Sequence, residues 1–372
     1  MIHQQRLVEE FIELVKVDSE TGNERAIADL LKQKFSNLGL QVVEDNSMQR
    51  TGHGAGNLAI TFEPTDGMEN QPVIYFTSHM DTVTPGKSIQ PAVEGEAIVS
   101  DGTTILGSDD KAGIAAMLEA IRVVKEQQIP HGKVQFLITV GEESGLKGSR
   151  YLQKELLKAD YGYALDSNGP VGDIIVAAPT QAKIHVIVKG KSAHAGVNPE
   201  DGISAIQVAS HAISMMKLGR IDSETTANIG KFQGGSATNI VCDSVEIFAE
   251  ARSLVEEKLL KQVEHMKKAF EEAASKFSTS VDFHSEIMYP AFRFEEDHPL
   301  VIKAKQAMIE IGRSPRILSS GGGSDANVLN GYGIPTINLG VGYENIHTTK
   351  ERMPIRELVK TAELVISLIK QN

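Results

Sequence analysis

The sequence predicts an α/β fold: a mostly parallel mixed sheet flanked by helices, interrupted by an inserted ferredoxin-like α+β domain. Three observations predict it. Strands that are apolar throughout are separated by helices in the first half of the chain, the pattern of a sheet buried on both faces. Strands in the middle alternate apolar and polar residues and run β-α-β-β-α-β, which suits a sheet with one covered face. The α/β style then returns toward the C-terminus. A length of 372 residues exceeds what one hydrophobic core usually fills, in keeping with two domains.

The elements follow in order. Leu7, Phe11 and Leu14 give residues 3–16 helical spacing. Ile27, Leu30 and Leu31 do the same for 23–38, with Thr21 or Asn23 placed to cap that helix. Apolar strands lie at 57–62 (NLAITF) and 73–78 (VIYFTS). A helix at 112–127 leads to strands at 133–140 (KVQFLITV) and 161–165 (YGYAL). The insertion opens with strand 182–189, whose Ile184, Val186 and Val188 share one face, and helix 202–217. Strands 225–232 and 244–252, helix 255–277 and strand 280–288 complete it. Helix 298–311, strand 334–340 and a last helix at 354–370 close the chain. The expected organisation is a discontinuous main domain, 1–179 with 291–372, around an insert at 180–290.

Bulk properties exclude several classes. Hydrophobic residues make up 41% and charged residues 23%, which is ordinary globular composition. A net charge of −12, from 37 basic and 49 acidic residues, opposes nucleic-acid binding, which needs a basic face against phosphate. No apolar run approaches the ~18–20 residues that span a bilayer, and lysine-rich runs and lipidation signals are lacking, so no membrane association is expected. The N-terminal stretch carries acidic residues within its apolar repeat and no small-residue cleavage site, so it reads as a first helix and not as a signal peptide. Cys242 is the only cysteine. No intrachain disulfide can form, and any zinc must rest on histidines and carboxylates. These features favour a cytoplasmic protein.

Candidate ligands sit at strand ends, where binding residues gather in α/β sheets. His79 and Asp81 (SHMDTV) follow strand 73–78, and Asp109 and Asp110 (LGSDDKAG) precede a helix. Glu142 and Glu143 (TVGEESG) end strand 133–140, Asp166 (YALDSNG) ends strand 161–165, and His347 (ENIHTTKE) follows strand 334–340. Singly, a loop aspartate is most often a turn or cap. Recurrence changes that: successive apolar segments each end in a carboxylate or imidazole beside small residues. Oxygen and nitrogen donors of this kind suit a pair of borderline cations such as zinc, each keeping an open position for water. In a His-x-Asp at a strand end the aspartate can accept the free N–H of a ligating imidazole, so His79 reads as ligand and Asp81 as its support. Glu142 and Glu143, adjacent on an extended segment, point opposite ways, so one can bind metal while the other takes a proton from water. Spacing does not say which.

The stretches SHMDTV, LGSDDKAG, GEESG, ALDSNG, KSAHAG, GGSATNIV, AEARS, SGGGSDAN and IHTTKE together resemble the M20 metallopeptidase family, and within it the peptidase T-like branch. They run in family order across nearly the whole chain. The resemblance implies a di-zinc catalytic domain and a lid and dimerisation domain at 180–290. It implies that Asp109 bridges two zinc ions, for which Co2+ or Mn2+ can substitute, and that the Asp109–Asp110 peptide can be cis. It assigns His79 and Asp166 to one ion, Glu143 and His347 to the other, and Glu142 the role of general base. His194, in the lid, would act on the substrate carbonyl; in dimeric members this histidine comes from the partner subunit. Asn239 and Arg252 match substrate-holding positions, a guanidinium suiting a peptide carboxylate. Gly322 and Ser324 of GGGSD would let the substrate backbone pass closely. The implied activity is hydrolysis of short peptides by an aminopeptidase acting on tripeptides, as a homodimer formed through the lid.

Two departures keep neighbouring activities open. The chain is shorter than typical tripeptidases T, and its motif SAHAGVNPEDG also resembles the deacylase and carboxypeptidase branches, so the alternative is an N-acyl-amino-acid deacylase, dipeptidase or carboxypeptidase with the same metal site. A non-catalytic scaffold would have lost a ligand or the base, and here each position is filled. An oxidoreductase is opposed by the lack of a G-x-G-x-x-G after an early strand.

Overall fold

The structure, a computed structural model, describes residues 2–372. The chain divides into two compact units, one comprising residues up to Ala177 with Phe294–Ser319 and Ser324–Asn372, the other Ala178–Arg293 with Ser320–Gly323.

The first unit is built on one mixed sheet. Its strands run, side by side, Gln41–Glu44, Leu58–Phe62, Val134–Thr139, Ile74–His79, Tyr161–Ser167, Thr336–Gly340 and Asp173–Ala178, and Arg316–Ser319 pairs with the last of these. Val134–Thr139, Ile74–His79, Tyr161–Ser167 and Thr336–Gly340 are parallel neighbours, so their C-terminal ends share one edge. Every residue of Ile74–His79 and Val134–Thr139 is buried, as central strands covered on both faces require. Phe76 stacks between Phe136 and Tyr163, at ring separations of 5.8 and 5.7 Å, and faces the larger helical layer. That layer contains Gln4–Val15, Arg25–Asn37, Ser108–Glu126, Pro299–Glu310 and Ile355–Lys370. Tyr75 and Leu137, one residue along, point to the opposite face and pack with Leu152, Leu157 and Leu329.

The helices start where side chains satisfy their first amides. His3 accepts from the Arg6 N–H at the head of Gln4–Val15. Neither Thr21 nor Asn23 caps the second helix: it begins at Arg25, after Glu24, whose carboxylate instead accepts the N–H groups of Gly22 and Gly54. Strands Gln41–Glu44, Asp173–Ala178 and Arg316–Ser319 lie outside the sequence expectation. The first and last have only four residues each, too few for a periodic signal, and partners across the sheet decide such strands.

In the second unit, Gly219–Arg220, Thr225–Gly234, Ser244–Ser253, Thr180–Lys189 and Val281–Tyr289 form an antiparallel sheet in that order. Ile184, Val186 and Val188 are buried with Val245 and Ile247 beneath helices Ala205–Ser214 and Glu256–Lys276. Ser204 caps the first of these by accepting from the Gln207 N–H, three residues deeper than a helix starting at 202 would need. Phe232, Phe248 and Ile287 remain exposed.

Candidate metal centre

The shared edge of the parallel strands gathers the predicted donors of the first unit. His79 is the last residue of Ile74–His79 and is in register with Thr139, the last of Val134–Thr139. Asp166 lies near the end of Tyr161–Ser167, where the Asn338 side chain holds it in place. That amide donates to the Asp166 carbonyl at 2.6 Å and to Ser324 Oγ at 3.3 Å, while its oxygen accepts the Asp166 N–H at 3.0 Å. Asp109 stands at the head of the helix that runs to Glu126. That helix is regular only beyond Asp110, because Asp109 (φ −84°, ψ 101°) and Asp110 (φ −124°, ψ 37°) are non-helical and joined by a cis peptide. His347 projects from the loop after Thr336–Gly340 with φ at 60°, an uncommon conformation for a residue with a side chain.

The two oxygens of Asp109 face two different imidazoles. His79 Nε2 is 3.0 Å from Oδ1 and His347 Nε2 is 3.2 Å from Oδ2. Asp166 Oδ1 lies 3.8 Å from His79 Nε2, and Glu143 Oε1 lies 2.9 Å from His347 Nε2. Donor atoms of His79, Asp109 and Asp166 fall within 4.8 Å of one another, as do those of Asp109, Glu143 and His347. A third grouping of the same tightness, His79 with Glu142 and Glu143, brings Glu142 to the same place.

The glutamate pair is positioned by a turn, which corrects the sequence expectation. Val134–Thr139 ends before it, Gly141 takes φ 59°, and the Glu142 carbonyl accepts the N–H groups of Gly145 and Leu146. The two side chains therefore do not alternate as on a strand, and both reach the His79 side of the cluster. Asp81 organises this turn. Its buried carboxylate accepts the Glu142 N–H at 3.1 Å and the Glu143 N–H at 3.3 Å. The expected contact with the His79 ring is looser: Nδ1 bonds the Asp81 backbone carbonyl at 2.9 Å, and the carboxylate stands 3.6 Å away. The carboxylate is turned toward two amides that would otherwise lack a partner.

Charge in the cluster is out of balance. Burial, then the charge of Asp166, pushes the Glu142 carboxyl well above the usual range, and burial does the same to Asp166 and Asp110. His347, hydrogen-bonded to Asp109 and Glu143, is pushed up to about 10. For His79, burial opposes the charged ring, but Asp109, Asp81 and Asp166 together raise its pKa well above the ordinary value. Without further cations, protons must supply the positive charge that these carboxylates demand. Oxygen and imidazole donors with no thiolate, gathered within ligand distance, fit hard-to-borderline divalent cations.

The other predicted residues belong to the second unit, apart from Ser324. His194 and Asn239 lie on loops paired to each other, with the Ala195 N–H donating to the Asn239 carbonyl at 2.9 Å. Both side chains are exposed. Arg252 is half-buried, and its Nε and Nη2 bond Glu250 at 2.9 and 3.1 Å. A Cβ on Gly322 would come 3.9 Å from Arg252 Nη1, so the guanidinium and the glycine run share one region. Sequence reasoning missed Asn338, although a buried asparagine within an apolar strand is a legible oddity. It also missed His53, whose Nδ1 is 2.7 Å from Glu24 and whose Nε2 is 3.3 Å from Ser144 Oγ, under the glutamate turn. No local signal marks that residue.

Residues 75–371 match Peptidase family M20/M25/M40. The chain is 59% identical to the crystal structure of aminopeptidase PepT from Bacillus cereus ATCC 10987, with a TM-score of 0.92, covering 100% of this chain and 99% of that one. It is 52% identical to a tripeptidase structure from Staphylococcus aureus subsp. aureus Mu50, with a TM-score of 0.96 and the same coverage. Peptidase T of Bacillus subtilis (strain 168) is 25% identical over 99% of this chain and 98% of its own length. Among the described residues no helix is long and apolar enough to cross a membrane. With a matched segment that spans the cluster from His79 to His347, the chain belongs to Peptidase family M20/M25/M40 and is a metallopeptidase.

Proposed function

We propose that the protein is a di-zinc aminopeptidase that removes the N-terminal residue of tripeptides, with Glu142 as general base. The observation that carries this reading is the double engagement of Asp109, one oxygen toward His79 and the other toward His347. A single carboxylate shared between two ligand sets suits two adjacent cations, His79 and Asp166 holding one, Glu143 and His347 the other. Co2+ or Mn2+ would fit the same donors. When bound, such a pair acidifies a shared water and polarises a carbonyl.

The chain's own residues do the rest. Glu142 accepts the proton of the attacking water and returns it to the leaving amine nitrogen. A carboxyl in that place can both take a proton and release it. Asp81 holds the turn that aims it. On the family resemblance, His194 stabilises the oxyanion, supplied by the partner subunit of a homodimer formed through the 180–290 segment. On the same ground Asn239, Arg252, Gly322 and Ser324 hold the substrate. Glu250 takes the Nε–Nη2 edge of Arg252, so a substrate carboxylate would take the Nη1 side. The likeness to the tripeptidase and to PepT supports short peptides as substrates, and a cytoplasmic location goes with them.

The test is Glu142→Gln in zinc-loaded protein. Turnover of a tripeptide with a free amino end should fall about 10²–10⁴-fold while zinc content stays at the wild-type level. Wild-type enzyme should leave the N-acetylated tripeptide intact. A Glu142→Gln enzyme near normal rate would remove the base assignment, and cleavage of only the acetylated peptide would replace the aminopeptidase reading with a deacylase.

A further inference from the structure

We propose that Glu351 is a positioning residue that sets the distance between the two ligand sets, by strapping the Asp109 loop to the His347 loop. This rests on the di-cation reading above. Glu351 follows His347 by four residues, and 2% of its surface is exposed. Its carboxylate accepts the N–H groups of Leu106 at 2.8 Å and Gly107 at 2.9 Å on one oxygen. The other oxygen accepts Ser108 Oγ at 2.5 Å and the Asp109 N–H at 3.1 Å. Four donors from four consecutive residues thus converge on one side chain from the far end of the sequence.

The backbone of Glu351 is itself fixed. Its N–H donates to the Thr348 carbonyl, and the next residues, Arg352–Pro354, pair with Ala97–Val99. The loop that carries both His347 and Glu351 is closed at its base, where Glu344 and Arg352 exchange backbone hydrogen bonds at 2.9 and 3.0 Å, and within it His347 is half-exposed, at positive φ, with its ring held by Asp109 and Glu143. The placement of Asp109 Oδ2 against His347 therefore depends on how the two loops are joined, and the joint is Glu351. The strap bears on Asp109, which both ligand sets share, and it matters most on the Glu143–His347 side, where the partner histidine is on a loop. His79 and Asp166 sit on sheet strands, which fix them without it.

The experiment is a zinc titration of metal-free protein, with amide hydrogen exchange of the metal-free form as a second readout. Wild type should bind two zinc ions. Glu351→Gln keeps one carbonyl oxygen but turns an NH2 toward donors. It should bind one ion normally and the other about 10–100-fold more weakly. Amides of Leu106, Gly107 and Asp109 should exchange faster than in wild type. Glu351→Asp keeps the charge but is one methylene shorter; it should fold and give an intermediate loss, which covers the case of a poorly folded glutamine variant. Glu119→Gln, which breaks another buried carboxylate cluster with Arg6 and the His3 N–H, should lower the melting temperature without changing either readout. If both Glu351 variants bind two zinc ions as wild type does, with unchanged exchange at 106–109, the strap is refuted. If wild type itself binds fewer than two, the di-cation reading fails instead, whatever Glu351 does to loop exchange.

Discussion

Replacing Asp81 with asparagine tests how far the glutamate turn, and the chemistry it carries, depends on one buried carboxylate. Asp81 is fully buried and its two oxygens take the Glu142 and Glu143 N–H groups. An asparagine of the same shape offers one oxygen, so one amide meets an NH2 group and loses its acceptor. A hydrogen bond to a charged group contributes about 1.5–3 kcal/mol net, and an unpaired buried N–H costs about 1–3 kcal/mol. Partial relaxation of the turn brings the expected loss to roughly 2–4 kcal/mol, a large share of the ~5–15 kcal/mol that holds a domain together. Urea unfolding of the metal-free protein measures it. Because the same peptide carries both glutamates, kcat/KM on a tripeptide should also fall, by about 10–100-fold. A variant with wild-type midpoint and wild-type kcat/KM would refute the reasoning, since it would mean that the two amides need no charged acceptor.

Away from the site, Glu44 governs part of the acid stability. Burial works against its charge, but Arg25, the Gly56 N–H and Lys32 outweigh it and pull its pKa down to about 2. The folded value lies below the unfolded one, so its contribution is present above pH 4.5 and is lost as the pH falls through 2. After discounting for its half-exposed partners, Glu44→Gln should cost about 1–2 kcal/mol at neutral pH and flatten the stability profile between those two values. Denaturant midpoints taken across that window check it, and parallel profiles would overturn it. In the core, Phe136 is fully buried against Phe76 and Phe35. Phe136→Ala should cost about 3–5 kcal/mol and Phe136→Leu much less, by equilibrium unfolding; equal losses would argue against close packing there.

Residue by residue, legibility followed the range of the cause. The strands Ile74–His79 and Val134–Thr139 could be read because burial on both faces leaves an unbroken apolar run. The alternation of Ile184, Val186 and Val188 could be read because one face of Thr180–Lys189 is covered by helices. Asp109, Asp166 and His347 stood out because acidic and imidazole side chains recur at the ends of such runs. The Glu142–Glu143 turn was misread as extended because a glycine at positive φ ends the strand early, and local composition hardly marks that.

By itself, then, the sequence determined which side chains were available, which segments had to be buried, and that metal ligation had to use oxygen and nitrogen, Cys242 being its only thiol. Tertiary structure alone decided the partnerships: Asp109 between two histidines 268 positions apart in the chain, from His79 to His347, Asn338 clasping Asp166, and Glu351 gathering the amides of Leu106, Gly107 and Asp109 with the Ser108 hydroxyl. The physical reason is that propensity and periodicity act over a few residues. A hydrogen bond across the sheet edge depends on how parallel strands align their ends, and only the folded chain fixes that alignment.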